Sequence, residues 1–252
     1  MPAYHEDCRP RIWDEIVGQD AAVNRVKALI TRSWGGRAFW ISGASGTGKT
    51  SMARLIAAHG ADPLYTEEII ARDLTVGEYD RITRGHRFSP MMGMGHCVIV
   101  NEVHGLSKGI RERLLGQLDP VQANVCWIFT TTNVAQASLF EDDDNGDNAA
   151  LLSRCTVIKL ADDKASRLAL ATRAKQLAMR DGMDGQPLEV YQAALTARSG
   201  NMRALLGDVE SGRITELAAE RAALQRELDM IRATKSAAAE ERRTELKRLL
   251  GM

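Results

Sequence analysis

The stretch Gly43-Ala44-Ser45-Gly46-Thr47-Gly48-Lys49-Thr50 satisfies the pattern G-x-x-x-x-G-K-[ST], and the rest of the chain is read outward from it. It follows a short apolar run at 38–42, AFWIS. It opens the segment SMARLIAAHG, in which Met52, Leu55 and Ile56 share one helical face and Gly60 marks the expected stop. Strand, glycine-rich loop and helix in that order make an anion cradle. Glycines let the backbone curl until successive N–H groups converge on one set of oxygens, and the following helix adds its positive end. Lys49 then supplies a mobile positive charge for the β- and γ-phosphates of a nucleotide, and the Thr50 hydroxyl reaches magnesium.

Beyond the loop, further apolar runs appear at Cys97–Val100, Val125–Phe129 and Thr156–Leu160. Short apolar runs separated by helical segments predict a parallel sheet buried on both faces, hence an α/β, P-loop architecture with helices on both sides. The acidic, turn-rich stretch EDDDNGDN at 141–148 reads as a solvated loop. From about residue 161 the strand signal disappears, and ADDKASRLALATRAKQLAMRDG, LEVYQAALTARSG and NMRALLGDVESG read as three short helices. The expected organisation is therefore a core over 1–160, a small helical lid over 161–210 and a charged amphipathic helix over 211–252. In that tail Ile214, Leu217, Arg221, Leu224, Leu228 and Ile231 alternate at spacings of three and four, but the seam lapses at Lys235, Ala238 and Arg242. A long coiled coil is not expected; the helix either packs on its own body or presents a face to a partner.

Lysines and arginines balance aspartates and glutamates at 33 each, so no global field advertises a nucleic-acid surface, although a local basic stripe is compatible with that balance. The four cysteines, Cys8, Cys97, Cys126 and Cys155, form no C-x-x-C pair, which removes the usual zinc-ribbon and redox spacings. The opening MPAYHEDCRP has neither the basic start nor the apolar stretch of a signal peptide, and no run is long enough to span a bilayer. A cytoplasmic protein with no membrane partner is expected.

Four more places carry chemistry. Val98-Ile99-Val100 ends in Asn101 and Glu102, at what should be the carboxyl edge of the sheet, where ligands bind in open α/β folds. P-loop ATPases usually carry Asp at the first of these positions. Asn101 can still face a magnesium-bound water but brings no charge, while Glu102 is placed to activate the attacking water. Thr130-Thr131-Thr132 leads to Asn133, a neutral amide suited to orienting that water or touching the γ-phosphate. Arg154, in Ser153-Arg154-Cys155, can reach a neighbouring subunit's nucleotide and neutralise charge as a phosphate bond breaks. Arg203, in Gly200-Asn201-Met202-Arg203, reads by spacing alone as an exposed helical arginine that can contact the γ-phosphate from the lid side.

Six segments in order, RPRIWDEIVGQDAAV, GASGTGKTSMARLIA, VIVNEVHGLSK, WIFTTTN, LLSRC and GNMRALL, resemble the AAA+ ATPases of clamp loaders. The likeness is to the bacterial tau/gamma subunit and the small subunits of replication factor C, and it covers roughly residues 8–210. Ser153-Arg154-Cys155 is its most discriminating piece. The resemblance implies an adenine pocket at Arg9, Pro10, Ile16, Val17, Gly18 and Gln19, with ATP and magnesium held along Gly43 to Ser51. It makes Lys49 and Glu102 catalytic, Asn133 the first sensor and Arg203 the second, and Arg154 the finger offered to a neighbouring subunit. It further implies neighbours in a homo- or hetero-oligomeric ring, a sliding clamp and primer–template DNA. Three features depart from it: Asn101 in place of Asp, the missing zinc cysteines of the bacterial subunit, and a segment after residue 210 too short for the helical collar. Two other readings stand beside it. One is a different AAA+ motor on DNA or protein, such as a branch-migration motor. The other is an ATP-gated structural subunit that barely turns over because of Asn101.

Overall fold

The computed structural model describes residues 3–91, 93–132, 147–183, 185–232 and 237–251. The chain divides into two compact units, Pro10–Asp162 and a second that joins the residues up to Arg9 to those from Asp163 onward.

The first unit is built on five strands, β1 (Arg37–Ser42), β2 (Thr66–Ile70), β3 (His96–Asn101), β4 (Val125–Thr131) and β5 (Thr156–Lys159). All pair in parallel, in the order β2-β3-β4-β1-β5. The apolar runs of the sequence are the strands that have cover on both faces. Phe39, Ile41, Cys97, Ile99, Cys126, Ile128 and Ile158 face one side. There they meet Val23, Val26 and Ile30 of α2 (Asp20–Arg32) and Met52, Leu55 and Ile56 of α3 (Lys49–Gly60). Ala38, Trp40, Val98, Val100, Val125, Trp127 and Phe129 face the other. Their partners are Tyr79 and Ile82 of α4 (Val76–Gly85), Ile110 and Leu114 of α5 (Lys108–Gln117), and Leu151 of α6 (Asp147–Ser153). This is the period-two alternation of a sheet sandwiched between helical layers.

Strand β2 is the exception. Its sequence, Thr-Glu-Glu-Ile-Ile, is an edge strand that among the described residues pairs with β3 alone, and it is half exposed along its length, so no apolar run announces it. Gly60 does end α3, though not as a left-handed cap: Ala61, which follows, is extended. A Cβ at Gly60 would lie 2.2 Å from Cδ2 of Trp34, whose ring is buried and whose Nε1 donates to the Ile56 carbonyl at 2.7 Å. Close approach of an indole, not backbone conformation, requires glycine there.

The second unit contains α7 (Lys164–Arg180), α8 (Leu188–Ala197) and α9 (Met202–Glu210), which coincide with the three helical segments of the sequence. Asp163 and Asn201 cap two of them, accepting from the backbone N–H of Ser166 (2.8 Å) and Ala204 (3.2 Å). A short α1 (Tyr4–Asp7) joins this unit: the Tyr4 hydroxyl donates to Asp181 Oδ2 at 2.9 Å. Burial holds the Tyr4 phenol protonated by pushing its pKa far up. The tail, expected as one helix, is two: α10 (Arg213–Arg232) and α11 (Ala237–Leu250). They fold on each other around Leu228, Leu246 and Leu250, and Arg242 bridges back to Glu227 at 3.0 Å. Of the lapse positions, Ala238 and Arg242 lie within α11, and the resumed leucines are the face that α11 packs on α10. Among the described residues no helix is long and apolar enough to cross a membrane.

Candidate functional site

The glycine-rich loop leaves the carboxyl end of β1 with the Gly43 N–H donating to the Thr131 carbonyl at 3.3 Å. Gly46 and Gly48 sit at φ 78° and 102°, conformations an L side chain resists, and a Cβ at Gly48 would meet nothing within 4 Å. The backbone therefore needs glycine there while the space before it is open. Gly43 is glycine for crowding, since its Cβ would come 2.9 Å from Leu160 Cβ. The buried Thr47 hydroxyl ties the loop to the Ala44 carbonyl at 2.8 Å. Lys49 is the first residue of α3, and its Nζ lies folded over the loop, donating to the carbonyls of Gly43 (2.9 Å) and Ala44 (2.8 Å). Ser45 is exposed at the loop tip, Thr50 is half-buried, and Ser51 is turned into the protein.

The ends of β3 and β4 stand at the same edge of the sheet. Asn101 closes β3, and its Oδ1 accepts from the buried Thr130 hydroxyl at 2.8 Å while its Nδ2 donates to Glu68 Oε1 at 2.9 Å. Glu102 follows with φ 56° and ψ 53°, a left-handed conformation on a residue with a side chain. Such a conformation costs roughly 1 kcal/mol and is held in place by surrounding structure. Its Oε2 accepts from the Thr132 hydroxyl at 3.2 Å and lies 3.5 Å from His104 Nδ1. Asn133, the expected first sensor, lies outside the described residues.

The AAA family model, ATPase family associated with various cellular activities, matches residues 39–141, which hold the loop and both strand ends. No curated protein matches by sequence. Among solved structures, the RuvB Holliday junction branch migration motor of Thermotoga maritima matches with a TM-score of 0.59 at 17% identity, over 96% of this chain and 72% of that one. Two point mutants of that protein match with TM-scores of 0.64 and 0.61, both at 16% identity; they cover 98% and 97% of this chain and 86% of theirs. The fold is that of an AAA+ ATPase. At these identities the likeness speaks for the fold alone.

In the AAA+ fold of this chain the remaining candidates are spread over both units. Ile16 is buried in the cluster under α2 and α3, Val17 and Pro10 are half-buried beside it in sequence, and Gly18 turns at φ 70° into α2. Gln19 clamps the entry to α2 onto the chain beyond β5: its Nε2 donates to the Ala161 carbonyl at 2.9 Å and its Oε1 accepts from the Ala161 N–H at 2.7 Å. Arg154 stands between α6 and β5, donating to the Ala150 carbonyl at 2.9 Å and facing Asp119 at 3.4 Å. Because β5 runs parallel to β1, Arg154 leaves from the amino edge of the sheet and the phosphate loop from the carboxyl edge. The register separates them by four residues of strand, about 13 Å.

Arg9 and Arg203 belong to the helical unit. The Arg9 guanidinium forks onto the Glu6 carboxylate. Arg203, second residue of α9, is exposed and has no hydrogen-bond or ion-pair partner among the described residues. Sequence reasoning missed Glu68 and the hydroxyls of Thr130 and Thr132. The threonines could have been noticed from their place at the end of an apolar run; Glu68 had no signal, because the strand that carries it had none.

Proposed function

We propose that this chain binds ATP with magnesium along Gly43 to Ser51 and hydrolyses it as one subunit of an AAA+ ring. The supporting observation is a single arrangement. Lys49 and Thr50 at the head of α3, Asn101 and Glu102 at the end of β3, and Thr130 to Thr132 at the end of β4 share one sheet edge, while Arg154 points from the other.

The residues present fit the ligand. The loop offers open space before the left-handed Gly48, and Lys49 is already satisfied by carbonyls it can exchange for phosphate oxygens. Thr50 and Asn101 offer only uncharged oxygens to magnesium, a weaker hold than a carboxylate gives, so the cation would keep several waters and lean on the substrate phosphates. When bound, the metal would neutralise charge on the β- and γ-phosphates. Glu102, on its strained turn, accepts a proton from the attacking water, and Asn133 orients that water. Arg154 cannot serve its own loop from the amino edge, so it serves a neighbour's. By the resemblance to clamp-loader ATPases we assign Arg203 as the second sensor, and Arg9, Pro10, Ile16 and Val17 to the adenine.

For the partner, the triplet Ser153-Arg154-Cys155 favours a clamp-loader-like subunit acting with a sliding clamp on primer–template DNA. The likeness to RuvB structures motivates a second reading, an AAA+ motor on branched DNA. Steady-state ATPase with primed DNA plus clamp, and separately with four-way junctions, distinguishes them. Stimulation by the first mixture alone supports clamp loading; stimulation by the second alone supports the other motor. A slow rate under both, rising sharply in Asn101→Asp, supports the structural subunit.

A further inference from the structure

We infer that Glu68 is a positioning residue for the magnesium-facing side of the site: it holds the Asn101 amide with its oxygen turned toward the nucleotide. The inference rests on the nucleotide reading above and concerns a residue on the strand that carries no motif.

The two ends of an amide differ only in what they can donate or accept, so a neighbour decides which way Asn101 points. A carboxylate can only accept. With Glu68 Oε1 at 2.9 Å, the Asn101 atom facing it must be the NH2. The oxygen is then directed to the other side, toward Thr130 of β4, whose hydroxyl it accepts at 2.8 Å. Strand β4 lies between β3 and β1, and the phosphate loop leaves β1, so the oxygen is on the loop's side of β3. One lone pair of that oxygen is taken by Thr130, and the second is left to accept from a metal-bound water. The reversed amide would set oxygen against carboxylate at the same distance, which is repulsive.

Glu68 is itself fixed. Arg54 of α3 forks onto it, Nε to Oε2 at 2.7 Å and Nη2 to Oε1 at 3.2 Å. Arg54 stands one helical turn beyond Thr50 on the same face of α3. The chain Arg54–Glu68–Asn101–Thr130 thus runs from the helix that carries one proposed metal contact to the residue that supplies the other. An aspartate at 101 would need no such orienter, since its two oxygens are equivalent, and it would meet Glu68 as a like charge within hydrogen-bonding distance. Asn101 is therefore matched to Glu68, and the two are expected to be exchangeable only together.

The test is the magnesium concentration that half-saturates binding of a fluorescent ATP analogue, measured without turnover. In the native background, Glu68→Ala should raise it about ten-fold, the usual cost of losing a partner that orients a metal contact. Asn101→Asp alone should bring no gain. The double variant Asn101→Asp with Glu68→Ala should bind magnesium more tightly than either single variant, so that removing Glu68 harms the Asn protein and helps the Asp protein. Arg54→Ala, which breaks the ion pair but leaves the acceptor facing Asn101, should shift the midpoint far less than Glu68→Ala. The same sign for Glu68→Ala in both backgrounds, or an equal shift from Arg54→Ala, overturns the inference. If Lys49→Ala binds the analogue as well as the native chain, or native binding ignores magnesium, the nucleotide reading itself falls and takes this with it.

Discussion

The hydroxyl of Thr132, one residue past the end of β4, donates to Glu102 Oε2 at 3.2 Å, so the proposed base is held by the neighbouring strand. Glu102 also sits at φ 56°, where glycine would be relaxed. Glu102→Gln should keep ATP affinity and lower turnover by about 10²- to 10⁴-fold, the usual worth of a general base. Glu102→Gly should lose turnover equally while gaining up to about 1 kcal/mol of stability. Single-turnover kinetics beside urea titrations would show both, and a Glu102→Gly protein that hydrolyses normally would remove Glu102 from the mechanism.

Lys49 is folded over its own loop, with its ammonium on the Gly43 and Ala44 carbonyls. Lys49→Ala should therefore lose nucleotide binding, by about 10- to 100-fold if each charge-assisted phosphate contact is worth about 1.5–3 kcal/mol. Calorimetric titration with a non-hydrolysable ATP analogue reads this directly.

Arg154 is parked against Asp119 at 3.4 Å on the amino edge. Arg154→Ala should leave ATP affinity nearly unchanged and cut turnover by about 10³-fold or more. Mixing it with Glu102→Gln should restore part of the rate, because one protein supplies the base and the other the arginine. No recovery on mixing, with rings present by native mass measurement, would exclude sharing of sites between subunits.

Gly60 lies under the buried ring of Trp34, which would be 2.2 Å from a new Cβ. Gly60→Ala should cost about 1–3 kcal/mol as overpacking, against the gain a helical alanine normally brings. Calorimetric melting should show the Tm falling by several degrees; a rise would show that the indole shifts freely.

His86 is buried against the edge of Trp127, ring centroids 5.8 Å apart, and burial lowers its pKa to about 4. The unfolded chain takes up that proton near pH 6.5 and the folded chain only near pH 4, so this contribution is complete above about pH 6.5 and is lost as the pH falls through that window. The urea midpoint should be lower at pH 5 than at pH 7.5, by less in His86→Phe than in the native chain. An identical pH slope in the two proteins would mean that His86 is not kept neutral by folding.

What the residues alone determined is whatever depends on neighbours in the chain. The phosphate loop is legible because its backbone turns are local and demand glycine at Gly46 and Gly48. Strands β1, β3, β4 and β5 are legible because cover on both faces leaves them apolar. Only the tertiary structure decided what depends on register and direction. Strand β2 is half exposed and reads as nothing, yet its parallel pairing brings Glu68 to Asn101 across 33 positions of sequence. The sense of β5 sends Arg154 away from its own loop, and the packing of Leu246 and Leu250 on Leu228 makes two paired helices of what reads as one. Pairing partners and strand direction are set by the packing of the whole sheet, and no single segment encodes them.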